Sequence, residues 1–489
     1  MKLQDYPRPA NDNRRGIHAV ASPYHNYDHD VWVRELQELN MKWYKILDDG
    51  GSCYQFCDKI LAAGITPIVR LYQPQHNPGG LEPKALETIS ILVSLGVRYF
   101  EINNEPNLEI EWKEGEWQDG GRPETVMEYW IKDAAEVIER GGLPAFPALA
   151  QAGIDPAHGS VNWTVRALRW LADNAATQAR DIFENGGWIA VHAATLNHPL
   201  DYPYDDVNQK GKPLTSQEYN AHPAGAWGNQ PMEVINDWRA SDKNPGHTVM
   251  DDDSCLLGFE VPIKVLRETF GLTLPVMSTE GGVFPPKPGT FTVWDRRYPG
   301  YDVHGHAERT VEMFTWLEQE APDYFFAMCP WLIANERMNH FNPAWTHDAW
   351  YQEEPLPVVG AVKGMPKTTR PPIKEEAVEP VVTVPEAPPA VPTAEEPVSH
   401  YLLLGPPSSP TTAVNLGAAQ SYIAQFNPTV GFNPEEAKQF KHVTIVGGPD
   451  QVSAADEQAL REAGCQVERL ENPPAAFAEL VQQGKRFLA

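Results

Sequence analysis

An α/β fold of the (β/α)₈ TIM-barrel type is predicted for the first 365 or so residues, and three observations predict it. From Gly16 to about Ala334, short apolar runs alternate with longer amphipathic segments. Each run has the length of a buried parallel strand, and burial on both faces makes its apolar pattern continuous rather than alternating. The runs number eight, and alternation repeated that often closes into a barrel more readily than it stays an open sheet.

In chain order the strands are GIHAVAS, MKWYKIL, ITPIVRLY, VRYFEINNEP, LPAFPALA, WIAVHAAT, LPVMSTEGG and YFFAMCPWL. Between them, segments such as CYQFCDKILAAG, LETISILVSLG and VPIKVLRETFG carry apolar residues at helical spacing and end in Gly, a left-handed helix stop. VRALRWLADNAATQARDIFENG reads as one long helix, and PVVGAVKGM after Leu356 supplies an eighth. The sixth strand is followed by a long loop, 197–253, rich in Pro, Asn, Asp, Tyr and Trp. Long loops at the C-terminal ends of barrel strands usually shape a binding site. From 366 to 399 the chain is roughly a quarter proline, with Glu, Val, Ala and Thr, which reads as a semi-extended linker that packs no core. Residues 400–489 follow as a small α/β domain with three strands, HYLLLG, KHVTIVGG and CQVERLE.

Composition narrows the partners. Acidic residues outnumber basic ones by 66 to 39, for a net charge of −27. Such a balance disfavours nucleic acid and anionic membrane surfaces, where Lys and Arg supply the affinity, and it disfavours polyanionic substrates. A neutral ligand is the easiest fit, and 15 Trp with 17 Tyr offer flat apolar faces suited to sugar rings. No run is long enough to span a bilayer. The opening MKLQDYPRPANDNRRG has no apolar h-region, so no secretory signal is expected, and the compartment stays open. The 5 cysteines make no disulfide framework. Cys53 and Cys57, one helical turn apart, are expected as buried thiols. No metal and no cofactor are expected: His25, His29 and Asp30, and His304 with His306, match no common ligand spacing, and Gly79–Gly80 is a lone turn.

The chemistry concentrates at two strand ends. Strand four ends in Phe100-Glu101-Ile102-Asn103-Asn104-Glu105-Pro106-Asn107, strand seven in Met277-Ser278-Thr279-Glu280-Gly281-Gly282. Both carboxylates, Glu105 and Glu280, thus fall where a barrel gathers its reactive groups, on strands facing each other across the mouth. Glycoside hydrolysis needs two carboxyl groups flanking one bond; about 5 Å apart, one attacks and the other protonates the leaving oxygen. Glu101, four residues before Glu105, points to the same side but deeper, as a buried, paired carboxylate. Asn-Glu-Pro ending strand four, with a second Glu ending strand seven, resembles the clan A glycoside hydrolases, over the barrel only.

The resemblance implies a retaining O-glycosidase acting on a neutral β-linked poly- or oligosaccharide, with Glu105 as acid/base, Glu280 as nucleophile and Asn104 bonded to the sugar 2-hydroxyl. It also places Trp331 beneath the reacting sugar. Arg70, ending strand three, is placed to hold Glu280 ionised. His192 ends strand six, but the chain reads His192-Ala193-Ala194 where several families carry His-x-Tyr, leaving Tyr202 or Tyr204 as replacements, or none. His18 lines the pocket or is a satisfied core histidine; Asp48 and Asp49 bind sugar hydroxyls or cap the turn. The long loop and Trp112 with Trp117 suggest an extended cleft and endo action. The alternatives are a non-catalytic carbohydrate-binding barrel and a cell-surface glycan-attachment protein. For the latter, HVTIVGGPDQVSAADEQALREAGCQVERL resembles one bacterial cell-wall-binding type-2 repeat, though its usual Arg-Tyr continuation is replaced by Asn472-Pro473-Pro474.

Overall fold

The computed structural model describes residues 1–19, 29–48, 50–118, 120–153, 155, 158–287, 289–334, 347–373, 400–406, 409–426, 428–471, 473, 476–477, 480 and 485–486. Two compact units divide the chain, Met1–Glu376 and Ala377–Ala489.

In the first unit, eight parallel strands pair in sequence order: β1 (Gly16–His18), β2 (Trp43–Asp48), β3 (Thr66–Leu71), β4 (Tyr99–Glu101), β5 (Leu143–Phe146), β6 (Trp188–Ala194), β7 (Val276–Gly282) and β8 (Phe325–Met328). The ring closes where Met328 N–H donates to Arg14 C=O at 3.1 Å and His18 N–H donates to Pro330 C=O at 3.0 Å. Helices alternate with the strands, so the fold is a (β/α)₈ barrel. The helix expected after β5 is in fact two, Ser160–Asn174 and Ala176–Glu184, because Ala175 leaves helical geometry at φ −146°. The long β6 loop carries helices of its own, Asp206–Lys210, Ser216–Ala221 and Met232–Ser241. Pro357–Lys363 supplies the eighth outer helix.

Period-two alternation stacks the barrel interior in layers. Trp43 and Tyr99 point inward at the floor, where their rings meet edge to face at 5.6 Å and Tyr99 meets Trp188 at 5.8 Å. Tyr6 plugs this floor, its hydroxyl donating to Gly187 C=O at 2.7 Å. Two residues further along the same strands, the inward positions become Lys45 and Glu101, fully buried and ion-paired. Two charges taken out of water need each other, so this layer stands only as a pair. Above it opens the C-terminal mouth.

Beyond residue 365 the chain still packs on the barrel. Arg370 and Ile373 are buried, and Arg370 N–H donates to Asp12 C=O at 2.7 Å. The rest of the proline-rich stretch, 374–399, lies outside the described residues.

The second unit is built on a parallel sheet of β9 (His400–Leu404), β10 (Thr429–Gly431), β11 (His442–Val446) and β12 (Gln466–Leu470), in the order β10-β9-β11-β12. The expected three strands are therefore four. The added one, Thr-Val-Gly at the sheet edge, is too short to show a pattern. Its glycine has a reason, since a Cβ at Gly431 would lie 1.8 Å from the Tyr401 hydroxyl.

Candidate active site

Glu105 stands four residues past the end of β4 at φ +36°. A side-chain-bearing residue pays for this left-handed geometry, and such strain collects at functional sites. Its N–H donates to Ala148 C=O at 3.0 Å, and Leu108 N–H donates to its carbonyl at 2.9 Å, so the backbone is held on both sides. Asn107 ties the same turn to the next loop, exchanging bonds with Ala150 N–H at 3.0 Å and Ala150 C=O at 2.8 Å.

Glu280 reaches the mouth through an irregularity in β7. The β6–β7 register runs Val191 to Ser278, then His192 to Glu280, so Thr279 is an extra residue. Such a bulge lets two successive side chains share one face. Thr279 donates to Glu101 inside the barrel, while Glu280, the very next residue, turns into the cavity. The Ser278 hydroxyl fills the gap, accepting from Ala193 N–H at 3.0 Å and donating to Glu280 C=O at 2.7 Å. Gly281, at φ +97°, completes the turn where a Cβ would lie 2.5 Å from the Ala193 backbone.

The two carboxylates converge. Glu105, His192 and Glu280 each bring one ligand-type atom within 4.8 Å of the others. His192 lies between them, Nδ1 2.8 Å from Glu105 Oε1 and Nε2 3.8 Å from Glu280 Oε1. The same Glu280 oxygen is faced by Arg70 Nη1 at 3.2 Å, His18 Nε2 at 3.4 Å and Lys45 Nζ at 3.8 Å. Burial alone would raise the Glu280 carboxyl, but His192, His18 and Lys45 outweigh it and hold it well below the usual range. Burial pulls the His192 imidazole down, yet Glu280 and Glu105 together leave it above its ordinary value. His18, fully buried, is pushed below its ordinary value despite Glu280, and its Nδ1 donates to Ala19 C=O at 2.8 Å.

Asn104 is clamped: its side-chain oxygen accepts from Arg70 Nη1 at 2.5 Å, and its amide nitrogen donates to Glu111 Oε1 at 2.8 Å. Glu111 is half-buried, and its carboxyl is raised by burial against the pull of Arg70. Trp331 follows β8, its ring 4.5 Å from that of His18 and its backbone N–H donating to Gly281 C=O at 3.1 Å. These groups enclose a cavity of about 420 Å³, within the range of ligand sites.

Of the residues the sequence singles out, the structure thus gathers Glu105, Glu280, Asn104, Arg70, His192 and Trp331 on one cavity, with His18 against Glu280. It does not gather Asp48 or Tyr202. Asp48 is spent as a turn cap, accepting from Gly50 N–H at 2.8 Å, Gly51 N–H at 2.9 Å and Cys53 N–H at 3.2 Å; Asp49 lies outside the described residues. Tyr202 is stacked on His198 at 3.7 Å and donates to Asp252 at 2.6 Å, bracing the β6 loop away from Glu280. Tyr204 is turned outward, half-exposed. Trp112 is buried, donating to Pro106 C=O at 2.7 Å, so it supports the β4 loop rather than presenting a face to a ligand.

Lys45 and Glu111 escape the sequence reading. Lys45 had a signal, a lone cation in an apolar strand two residues from inward-facing Trp43. Glu111 had none. Among the metal-type histidines, His306 is buried with Nε2 3.0 Å from Val283 C=O, Asp30 pairs with Lys59, and His25 lies outside the described residues.

No protein-family profile matches the chain, and no curated protein matches it. The cell-wall-repeat likeness of the second unit therefore finds no support. Solved structures similar to the chain include a GH128 (subgroup II) endo-beta-1,3-glucanase from Pseudomonas viridiflava, at 14% identity and TM-score 0.40, covering 73% of this chain and 98% of that one. A GH128 (subgroup III) curdlan-specific exo-beta-1,3-glucanase from Blastomyces gilchristii is similar at 13% identity and TM-score 0.38, covering 73% and 100%. Xylanase B from Clostridium stercorarium F9 is similar at 13% identity and TM-score 0.35, covering 74% and 98%. Likeness at this level does not carry function across; the class defined by the chain itself is a (β/α)₈ barrel with a half-buried carboxylate pair at its C-terminal mouth.

Proposed function

We propose that this chain is a retaining O-glycoside hydrolase for neutral β-linked poly- or oligosaccharides, with Glu280 as nucleophile and Glu105 as acid/base. One observation carries the reading: carboxylate oxygens of Glu105 and Glu280 lie within 4.8 Å of each other across an open cavity. That spacing is close to the roughly 5 Å typical of double displacement and short of the roughly 6.5–9.5 Å that inversion requires. Four nitrogens around Glu280 Oε1 favour the ionised form a nucleophile needs.

In the first step a Glu280 oxygen attacks the anomeric carbon while Glu105 gives its proton to the glycosidic oxygen, and the leaving sugar departs. The glycosyl ester on Glu280 is then hydrolysed: Glu105 takes a proton from water, the hydroxide attacks the anomeric carbon, and Glu280 leaves as carboxylate. Asn104, held by Arg70 and Glu111, is placed to bond the sugar 2-hydroxyl. Trp331 supplies the apolar floor beneath the ring. Among the described residues the cavity wall bears three carboxylates, Glu105, Glu111 and Glu280, against Arg70 and His192, which disfavours an anionic sugar at the reacting position. The β-linkage rests on the resemblance of the two strand-end motifs.

The test uses aryl β-glycosides of several sugars. Wild type is expected to turn over at least one with net retention, read as the first-formed anomer by NMR. Glu280→Gln should lose about 10³-fold or more in kcat. Glu105→Gln should lose least on substrates with good leaving groups, where protonation matters less. An inverted first product would overturn the double displacement. Absence of turnover on a broad β-glycoside panel, with sugar binding intact, would favour the non-catalytic barrel.

A further inference from the structure

Both ends of the Asn104 side-chain amide are engaged, and the two partners differ in kind. Its oxygen accepts from Arg70 Nη1 at 2.5 Å, and its nitrogen donates to Glu111 Oε1 at 2.8 Å. A guanidinium offers only donors, whereas a carboxyl group keeps an acceptor oxygen whether or not it is protonated. Turned end for end, the amide would set donors face to face at Arg70 and, with Glu111 ionised, acceptors face to face at the other end. The two partners therefore fix one orientation. Arg70 has a second duty, since its Nη1 also lies 3.2 Å from Glu280 Oε1. Glu111 has none of that kind: among the described residues, Asn104 is the only hydrogen-bond partner of its carboxyl.

Glu111 is held in place by loops rather than by a strand. Asn77, after β3, pairs with the backbone of residues 111–113: its N–H donates to Glu111 C=O at 3.1 Å, and Lys113 N–H donates to its C=O at 3.1 Å. Asn77 is fully buried, and its side chain accepts from Asn103 Nδ2 at 2.9 Å and donates to Asn104 C=O at 3.1 Å. One residue thus registers the backbone that carries Asn104 against the backbone that carries Glu111. Asn104 and Glu111 both line the carboxylate cavity. Burial raises the Glu111 carboxyl against the pull of Arg70 and Asn104, and Glu105 and Glu280 raise it further. A third carboxyl on this wall is therefore unfavourable in itself, and its local effect is to give Asn104 an acceptor.

We propose that Glu111 is a positioning residue for the reaction, holding the Asn104 amide so that its remaining N–H donates to the 2-oxygen of the reacting sugar. The inference deepens the glycosidase reading and rests on it. It makes the site selective for sugars whose substituent at C2 accepts a hydrogen bond. It also places the effect in turnover, because a bond to the 2-hydroxyl strengthens in the transition state.

Aryl β-glycosides and their 2-deoxy counterparts measure this selectivity as a ratio of kcat/KM values. Glu111→Met keeps the bulk and removes the acceptor. It should lower the wild-type ratio by about tenfold, the worth of one hydrogen bond, through kcat rather than KM, with the 2-deoxy substrate hardly affected. Glu111→Gln retains an acceptor oxygen and should recover most of the ratio. In an Asn104→Ala background, Glu111→Met should change the ratio no further. Glu111→Ala supplies the same measurement if the Met variant fails to fold. With wild-type turnover intact, equal losses on both substrates or an unmoved ratio overturn the positioning role and leave the glycosidase standing. A ratio that falls as far in Glu111→Gln as in Glu111→Met assigns the effect to charge and overturns it too. Wild type without turnover on any glycoside removes both readings.

Discussion

At the scale of single residues, the decisive contacts are those that set charge at one oxygen. Glu280 Oε1 is approached by four nitrogens, and the most deeply buried cation among them, Lys45, also neutralises Glu101. Lys45→Met should therefore do two things. It strands Glu101 as a buried charge without its counter-ion, a loss of about 3–5 kcal/mol by urea unfolding. It also removes one group that keeps Glu280 ionised, so the acid limb of the kcat/KM profile should move to higher pH. Replacing both partners, Lys45→Met with Glu101→Leu, should recover much of the stability but leave the acid limb displaced. Stability recovered together with an unmoved limb would show Lys45 to be a core residue only.

At the scale of elements, the mouth is assembled by loops that fasten to one another. Asp253, near the end of the β6 loop, accepts from the Ser160 hydroxyl and from Gly153 N–H at 3.1 Å, tying that loop to the one after β5. Burial raises its carboxyl to about 6, more than its hydrogen bonds lower it. Because this folded value lies above the unfolded one, the protonated form is the one that the fold favours. The stabilisation is fully present below about pH 4 and is lost as pH rises through about 6, on the order of 3 kcal/mol in all. Asp253→Asn keeps the shape without the titration. Between pH 4.5 and 7.5 its melting temperature should therefore fall less with rising pH than that of wild type. Parallel melting curves for the two proteins across that range would exclude Asp253 as the titrating tie.

At the scale of the molecule, the chain is two compact units, and the first ends later than composition suggests. Proline and charge begin to dominate near 366, yet Arg370 reaches under the barrel floor. Its guanidinium lies 3.6 Å from Asp12 and 5.5 Å from the Phe326 ring centroid. A fragment ending at 376 should melt close to the barrel transition of the full chain. One ending at 365 loses Arg370 and Ile373 and leaves Asp12 short of a partner, and should melt several degrees lower, as a loss of one or two kcal/mol would give. Equal melting temperatures would place the working boundary at 365. The same full chain carries a net charge of −27, which disfavours polyanionic partners at long range.

Local pattern was enough for the eight strands and for the meeting of Glu105 with Glu280, but not for the break at Ala175 or the helices inside the β6 loop. Continuous apolar runs report burial on both faces, and once strands are counted around a ring, strand ends four and seven must face each other. The β7 bulge was not legible, because one extra residue in a ladder leaves no periodic trace, yet it turns Thr279 and Glu280 to the same side. Nor was the clamp of Asn104 by Glu111, or the spending of Asp48 and Tyr202 on their own loops. A residue's type says what bonds it can make, but which bonds it makes depends on neighbours hundreds of positions away. Those neighbours are set only when the chain has closed on itself and every buried polar group has had to find a partner.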